Sequence, residues 1–408
     1  MPASKRYEWN TDSVATLSIN AYARTTNAAG KASGTHVAVG IPQESPWNEV
    51  AEMIVATLME QGVAVTKVMD GDEIAFEHET LLLLGSGRWF PKFQELSQRL
   101  QHRRPHIILW HLQPLPPPVF TQRANALGQK LLRAQWNDLF GEWLQPLNNM
   151  LPVRGHGRLL IQRVLGVQVL QEFERIGGPE YGNVGWEDLK MIFEEAAWLE
   201  ETWSHPQPWV DEIVTDTPTR VTFLRQHAIP ARFVPLGFHA GWGSTTDQER
   251  DIDVLFVGNI HSPSRVNLVP EVLNRLREWG FNTLEQEVFP LGEERQQLLR
   301  RARVVLNVLR LPWEFPGLRL YHSAACGALV VSNEAVQNEP FQAGIHFVTA
   351  PRTRMAEAIA GLLDHEEERS RRADLALRSM QADLSLGAGL KRLLNRSLAS
   401  VGPLRRAA

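Results

Sequence analysis

The chain reads as an α/β protein of two parallel-sheet, Rossmann-like domains, the first of which carries a helical insertion. Three observations predict this. At 408 residues the chain exceeds what one hydrophobic core usually serves. Short apolar runs alternate with helical periods in residues 34–240 and again in 241–385, the pattern of strands joined by crossover helices. The runs are near-continuous rather than alternating, as strands covered on both faces require.

Residues 1–33 are rich in Ala, Thr, Ser and Asn, show no period, and read as a flexible or peripheral arm. Thr35–Ile41 is the first strand. A helix from about Asn48 to Gln61 follows, with Val50, Met53, Ile54, Ala56, Leu58 and Met59 as its buried stripe. Val63–Val68, Thr80–Leu84 and Pro105–Trp110 are the next strands, and Pro91–His102 is a helix between the last two. Gly85-Ser86-Gly87-Arg88 reads as a turn, since it lacks a phosphate-loop signature. His111 closes the fourth strand at the carboxyl edge of the sheet. The prolines at 116–118 stop regular structure, and about 120–205 is mostly helical, an insertion. Within it Arg154–Arg158 reads as a connector, and Glu194-Glu195 and Glu200-Glu201 read as solvated helix faces. Asp211–Thr215 and Ala231–Val234 resume the sheet, around a helix capped by Thr217.

The polar stretch Gly241–Glu249 marks the domain boundary. Asp253–Gly258 is a buried strand ending in glycine. A helix with Arg265 in its first turns runs to Trp279, with Val266, Val269, Val272, Leu273 and Leu276 inward. Arg265 reads either as a phosphate ligand or as a surface arginine. Thr283–Val288 is a strand and Gly292–Ala302 a helix. The stretch Arg303–Asn333 organises the domain: a strand through Leu309, a break at Trp313–Gly317, a helix from Leu318 stopped by Gly327, and the strand Leu329–Ser332. Ile345–Thr349 is a further strand, and the rest is helical.

The amides of Gly317, Leu318 and Arg319 leave a helix N-terminus at the carboxyl end of a strand. Unpaired N–H groups and the helix dipole both favour an anion there, and glycine lets a ligand approach the backbone. Open α/β sheets bind ligands outside the carboxyl ends of their strands. Arg319 adds a planar donor fork suited to phosphate. The plain alternative is a βαβ unit whose glycines only turn the chain.

Composition excludes several classes. With 43% hydrophobic and 22% charged residues, a sizeable core is available. A net charge of −4 argues against a general nucleic-acid binder. The one cysteine, Cys326, excludes an intramolecular disulfide and fits a reducing, cytoplasmic compartment. No run approaches the about 20 apolar residues of a membrane span. Met1–Asn10 has no signal-peptide core. The oligomeric state is not legible.

Glu314, seven residues, His322 and then Ser323-Ala324-Ala325-Cys326-Gly327 resemble the donor-binding region of GT-B glycosyltransferases. In the retaining family-4 type the pattern is Glu, seven residues, Glu, and a small-residue run ending in Cys-Gly. Asn307, Arg310, Gly317-Leu318-Arg319 and Ala325-Cys326-Gly327 resemble still more the CgeB-like glycosyltransferases, over roughly Trp209 to Met380. The resemblance implies two Rossmann-like domains facing a cleft, with the acceptor on 34–240, a nucleotide-sugar donor on 241–385, and a helix in 386–408 crossing back. It implies donor contacts at Gly258, Asn259, Arg265, Asn307, Arg310, Gly317, Leu318, Arg319 and His322. Glu314 matches a sugar-hydroxyl ligand. His322 departs from the acid that holds the ribose hydroxyls in better-known families. His111 is the candidate base. Two arginines and a helix dipole neutralise the leaving diphosphate, so neither a metal, an Asp-x-Asp motif nor a cofactor beyond the donor substrate is expected. The acceptor, whether glycan, protein or small molecule, is not identified. Two alternatives stand beside transfer: a catalytically degenerate binding or scaffold protein, and a nucleotide-sugar epimerase. A nicotinamide oxidoreductase is disfavoured because no GxGxxG follows either first strand.

Overall fold

A computed structural model describes residues 36–42, 47–100, 103–118, 123–124, 126–128, 130, 156–246 and 248–400. The expected arm at 1–33 and the first helical stretch of the insertion, residues 131–155, lie outside the described residues.

The first sheet has six parallel strands: β1 (His36–Ile41), β2 (Ala64–Met69), β3 (Thr80–Gly85), β4 (His106–His111), β5 (Glu212–Thr215) and β6 (Ala231–Phe233), in the order β2-β1-β3-β4-β5-β6. Helices α1 (Asn48–Glu60) and α2 (Pro91–Leu100) are its crossovers. Strand β3 shows why the leucine run works. Leu82 and Leu84 join a cluster with Ile54 of α1, while Leu81 and Leu83 join one with Phe93 of α2. One strand feeds two cores, so it needs apolar side chains at every position. Helices α3 (His156–Gly177) and α4 (Trp186–Ser204) form the described part of the insertion, and α5 (Pro218–Gln226) links β5 to β6.

The second sheet has five parallel strands: β7 (Ile252–Val257), β8 (Thr283–Gln286), β9 (Ala302–Asn307), β10 (Leu329–Ser332) and β11 (Val348–Thr349), in the order β11-β10-β9-β7-β8. Its helices are α6 (Leu268–Glu278), α7 (Gly292–Arg301), α8 (Leu318–Ala325), α9 (Met355–Leu363) and α10 (Glu366–Asp383). The chain leaves β7 for β8 on one side and returns to β9 on the other. The carboxyl ends of β7 and β9 therefore flank the crevice where such sheets bind ligands.

Two parallel-sheet α/β halves thus match the expectation, with local corrections. Ala51 and Thr57 join the inward stripe of α1, Met53 packs against it partly buried, and Met59 is 59% exposed. The turn before α6 occupies 262–267, so Val266 faces solvent. His156-Gly157-Arg158 is helix rather than connector. Strand β11 is only Val348–Thr349, because Ala343–Phe347 folds into a bridged turn.

The halves meet tightly. One apolar cluster includes Val39 and Ile54 of the first half with Leu255, Tyr321 and Cys326 of the second. Helix α11 (Leu386–Ser400) runs against α1, where Gln61 Nε2 donates to the Gly387 carbonyl at 3.0 Å. At the crossing point a Cβ on Gly237 would lie 2.4 Å from the Leu386 nitrogen, so only glycine fits. No helix among the described residues is long and apolar enough to cross a membrane.

Candidate functional site

Two arginines meet at the crevice between β7 and β9, and each spans both strand ends. Arg319, in the first turn of α8, donates to the Val257 carbonyl at 2.8 Å and to Asn307 Oδ1 at 2.5 Å. Arg265 donates to the Val308 carbonyl at 2.8 Å and to the Asn259 carbonyl at 3.1 Å. Asn307 is held in turn, donating to Ser332 Oγ at 2.9 Å, which donates to the Asn333 carbonyl at 3.0 Å. Gly258 sits between the guanidiniums with φ +128°, and a Cβ there would be 3.1 Å from Arg319 Nη2 and 3.9 Å from Arg265 Nη1.

The electrostatics are unbalanced. Neither arginine makes an ion pair with a carboxylate among the described residues; their partners are carbonyls and one amide. Arg265 is 8% exposed, and its Cζ and that of Arg319 both lie 5.8 Å from the ring centroid of Phe256. Burial, followed by the neighbouring Arg319 and Arg310, pulls the Arg265 guanidinium down to about 9, against a weaker opposing pull from the Asp188 carboxylate. Burial pulls Arg319 down to about 10. The Nε–H of Arg319 is enclosed and has no partner. Enclosed positive charge with no carboxylate bonded to it is costly, and an anion at this place would relieve it.

Helix α8 begins one residue after Gly317, with no side-chain cap on its first amides. The reason for glycine differs from the expectation. A Cβ on Gly317 would lie 2.7 Å from the Phe341 ring, so the residue is small for packing rather than for close approach of a ligand. Leu318 is half-buried against the shared apolar cluster. Asn259 contributes its carbonyl to Arg265, while its side chain accepts from the His261 amide at 2.6 Å.

Three further candidates are bound to protein partners. Arg310 is ion-paired with Asp188 of α4. Glu314 is 5% exposed and takes a two-pronged contact from Arg220 of α5, Nε to Oε1 at 3.0 Å and Nη2 to Oε2 at 2.8 Å. Arg220 also donates to Oδ1 of the partly exposed Asp216 at 2.6 Å, so this trio ties the two halves together. His111 is fully buried, with Nε2 3.1 Å from Glu195 Oε1, which also accepts from Ser86 Oγ at 2.6 Å. Glu195 was expected on a solvated face; its partners came from the distant Ser86 turn and β4. Nothing in the helical period of α4 separates it from Glu194.

His322 lies 4% exposed, its ring 4.8 Å from that of Trp242 in an edge-on contact. Neither ring nitrogen has a hydrogen-bond partner. Burial, then Arg295 and Arg319, holds its pKa well below the ordinary 6.5, so the ring is neutral. Arg295 is the other residue that sequence reasoning missed. It is 1% exposed and donates to both carboxylate oxygens of Glu49 in α1 at 2.6 Å, a second tie between the halves. In the charged string of α7 it reads as surface.

Asp-x-Asp does occur twice, contrary to expectation, and both copies are engaged. Asp70 accepts from the Lys92 and Phe93 amides and Asp72 from the Met69 amide. Asp251 pairs with Arg301 and Asp253 with Arg303.

Residues 248–395 match a family model described as glycosyl transferase-like. That segment holds Arg265, Arg319 and the crevice they line. No curated protein matches the chain. Among solved structures, the chain is similar to TarM at 10% identity and TM-score 0.48, covering 78% of this chain and 54% of that one. It thus spans about half the length of TarM. It is also similar to HepE of Anabaena in complex with UDP, at 10% identity and TM-score 0.48, covering 90% and 100% of the two chains. A third similarity is to OtsA in its apo form, at 10% identity and TM-score 0.43, covering 89% and 99%.

Proposed function

We propose that this protein is a metal-independent glycosyltransferase that takes a nucleotide-diphosphate sugar and passes the sugar to an acceptor hydroxyl. The observation that carries the reading is the pair Arg265, buried, and Arg319, half-buried, side by side at a sheet crevice with no carboxylate bonded to either. The departing nucleoside diphosphate is the anion they would hold. Fixed cations aimed at developing negative charge lower the barrier without reorganising at the moment of reaction. With two guanidiniums and the first turn of α8 present, the leaving group needs no divalent cation in this reading. Asn307 and Gly258 support it by fixing Arg319 and leaving room beside it. The family match over 248–395 supports the reaction class. In this structure Glu314 and His111 are bonded to Arg220 and Glu195, so the reading rests on the arginines rather than on them.

Calorimetric titration with UDP, GDP and dTDP, each free and as a sugar conjugate, tests this. Binding of at least one in a folded sample is expected, followed by donor turnover when an acceptor library is added. Binding by none of them rejects the proposal. A second reading, a donor-binding protein without transfer, is favoured by one observation: the motif's acid, Glu314, is fully occupied by Arg220. Tight donor binding with neither hydrolysis nor transfer would select it.

A further inference from the structure

The helical insertion reaches the same crevice with acidic side chains. Asp188, in the first turn of α4 and 3% exposed, is ion-paired with Arg310. Glu180, just before α4, is 3.7 Å from Arg352. Arg352 in turn donates to the Ser264 carbonyl at 2.6 Å, next to Arg265 in the chain. Ser264 Oγ donates to the Arg310 carbonyl at 3.1 Å. A Cβ on Gly185 would stand 3.4 Å from Pro263, so the insertion abuts the loop that carries Arg265. The Arg310 guanidinium is close enough to help depress Arg265, and it is half-exposed while its acid is buried. The acid lies inside and the base at the surface.

We propose that Asp188 is a built-in competitor for the anion at this crevice, holding Arg310 in reserve until a diphosphate draws it to join Arg265 and Arg319. This rests on the donor-site reading above and narrows its ligand to a diphosphate rather than a single phosphate. One phosphate group carries about −1.5 to −2 charges near neutral pH, which Arg265 and Arg319 already match. The diphosphate that is released when the sugar bond breaks carries more charge and has use for a third guanidinium. Asp188 stands in for that charge while the site is empty, because a third free guanidinium beside two others would be repelled. Asp188 is thus a positioning residue acting through Arg310, and it makes the insertion a partner of the donor site.

The experiment is calorimetric titration of the full chain with pyrophosphate and with orthophosphate as probes. Asp188→Asn should tighten pyrophosphate by about 2- to 5-fold, the size of a partly exposed ion pair, and orthophosphate less. Arg310→Ala should weaken pyrophosphate and leave orthophosphate nearly unchanged. In the Arg310→Ala background, the gain from Asp188→Asn should shrink to the weaker direct effect of its charge on Arg265, which a merely structural role for Asp188 would not give. An equal gain without Arg310, or no gain at all in a wild-type protein that binds pyrophosphate, overturns this inference and leaves the donor-site reading standing. If neither wild type nor Asp188→Asn binds pyrophosphate, both fall. Should Asp188→Asn not fold, Arg310→Ala decides alone, at a half-exposed position: equal loss of both probes, or of neither, overturns the proposal.

Discussion

The carboxyl edges of the two sheets carry opposite kinds of polar chemistry. At the first edge, His111 Nε2 and Ser86 Oγ are buried together on Glu195, with His111 Nδ1 left without a partner. At the second, the buried Arg265 and the half-buried Arg319 stand together, neither ion-paired with an acid. A cluster bonded mainly within itself leaves little for a ligand, whereas two cations held on carbonyls call for an anion. On the proposed reading, the same architecture, built twice in one chain, keeps one edge for structure and offers the other to a ligand. The Arg220–Glu314 and Glu49–Arg295 pairs join these edges, and each places its arginine in one half and its acid in the other.

The largest effect should come from breaking that junction. Arg220→Ala leaves Glu314 and Asp216 as neighbouring acids in the interior, which costs about 3–5 kcal/mol for a severed buried pair. Arg220→Met with Glu314→Leu should recover most of the loss, because Asp216 is partly exposed and keeps water. Denaturant unfolding reads both. A single-variant loss below about 1 kcal/mol, the range of surface pairs, would show the junction to be solvated.

The contrast between the edges sharpens with two substitutions read by nucleoside-diphosphate titration. Arg319→Met removes a charged donor from the anion and should weaken binding by about 10- to 100-fold, as expected for a hydrogen bond to a charged group. His111→Phe should alter stability and leave that affinity unchanged, since the one bond its ring makes, Nε2 to Glu195, lies within the first half. Equal losses from the two variants would mean that the edges form one site.

Much of the second edge was legible in the chain, and little of the first. The strands and the arginines stand close in sequence to the glycines that shape the crevice: Gly258 lies seven residues before Arg265 and Gly317 two before Arg319. Local order carries such a site. Glu195, Arg220 and Arg295 sit in ordinary amphipathic helices, and their roles depend on partners 84, 94 and 246 residues away. Helical period tells which face a residue is on but not what that face meets. Glu195 and Arg295 are charged residues on inward faces, so a pattern reading assigns them to solvent. Gly317 shows a subtler failure, since the sequence signals that a small residue is needed there, and only the Phe341 ring shows why.

The smallest expected effect concerns His322, which stands between ligand chemistry and packing. Its two ring nitrogens are buried without partners beside Arg295 and Arg319, and its pKa is depressed. A histidine depressed in the folded state binds its proton more readily when unfolded. Its contribution is therefore intact above the ordinary 6.5 and is lost as pH falls below it. The slope from one such group is at most about 1.4 kcal/mol per pH unit. His322→Phe keeps a ring of similar size against Trp242 and removes both orphaned nitrogens. At pH 7.5 it should be neutral or slightly stabilising, since unsatisfied polar atoms are costly when buried. Between about pH 6.5 and 5.5 the wild type should lose up to about 1 kcal/mol more than the variant. His239 and His346, also depressed by burial, are present in both proteins and cancel in the difference. Loss of nucleoside-diphosphate affinity alongside this gain in acid stability would place the nitrogens in the ligand site. Destabilisation at pH 7.5 instead would mean that they already have a polar partner, and the edge would then be less open than its unpaired arginines indicate.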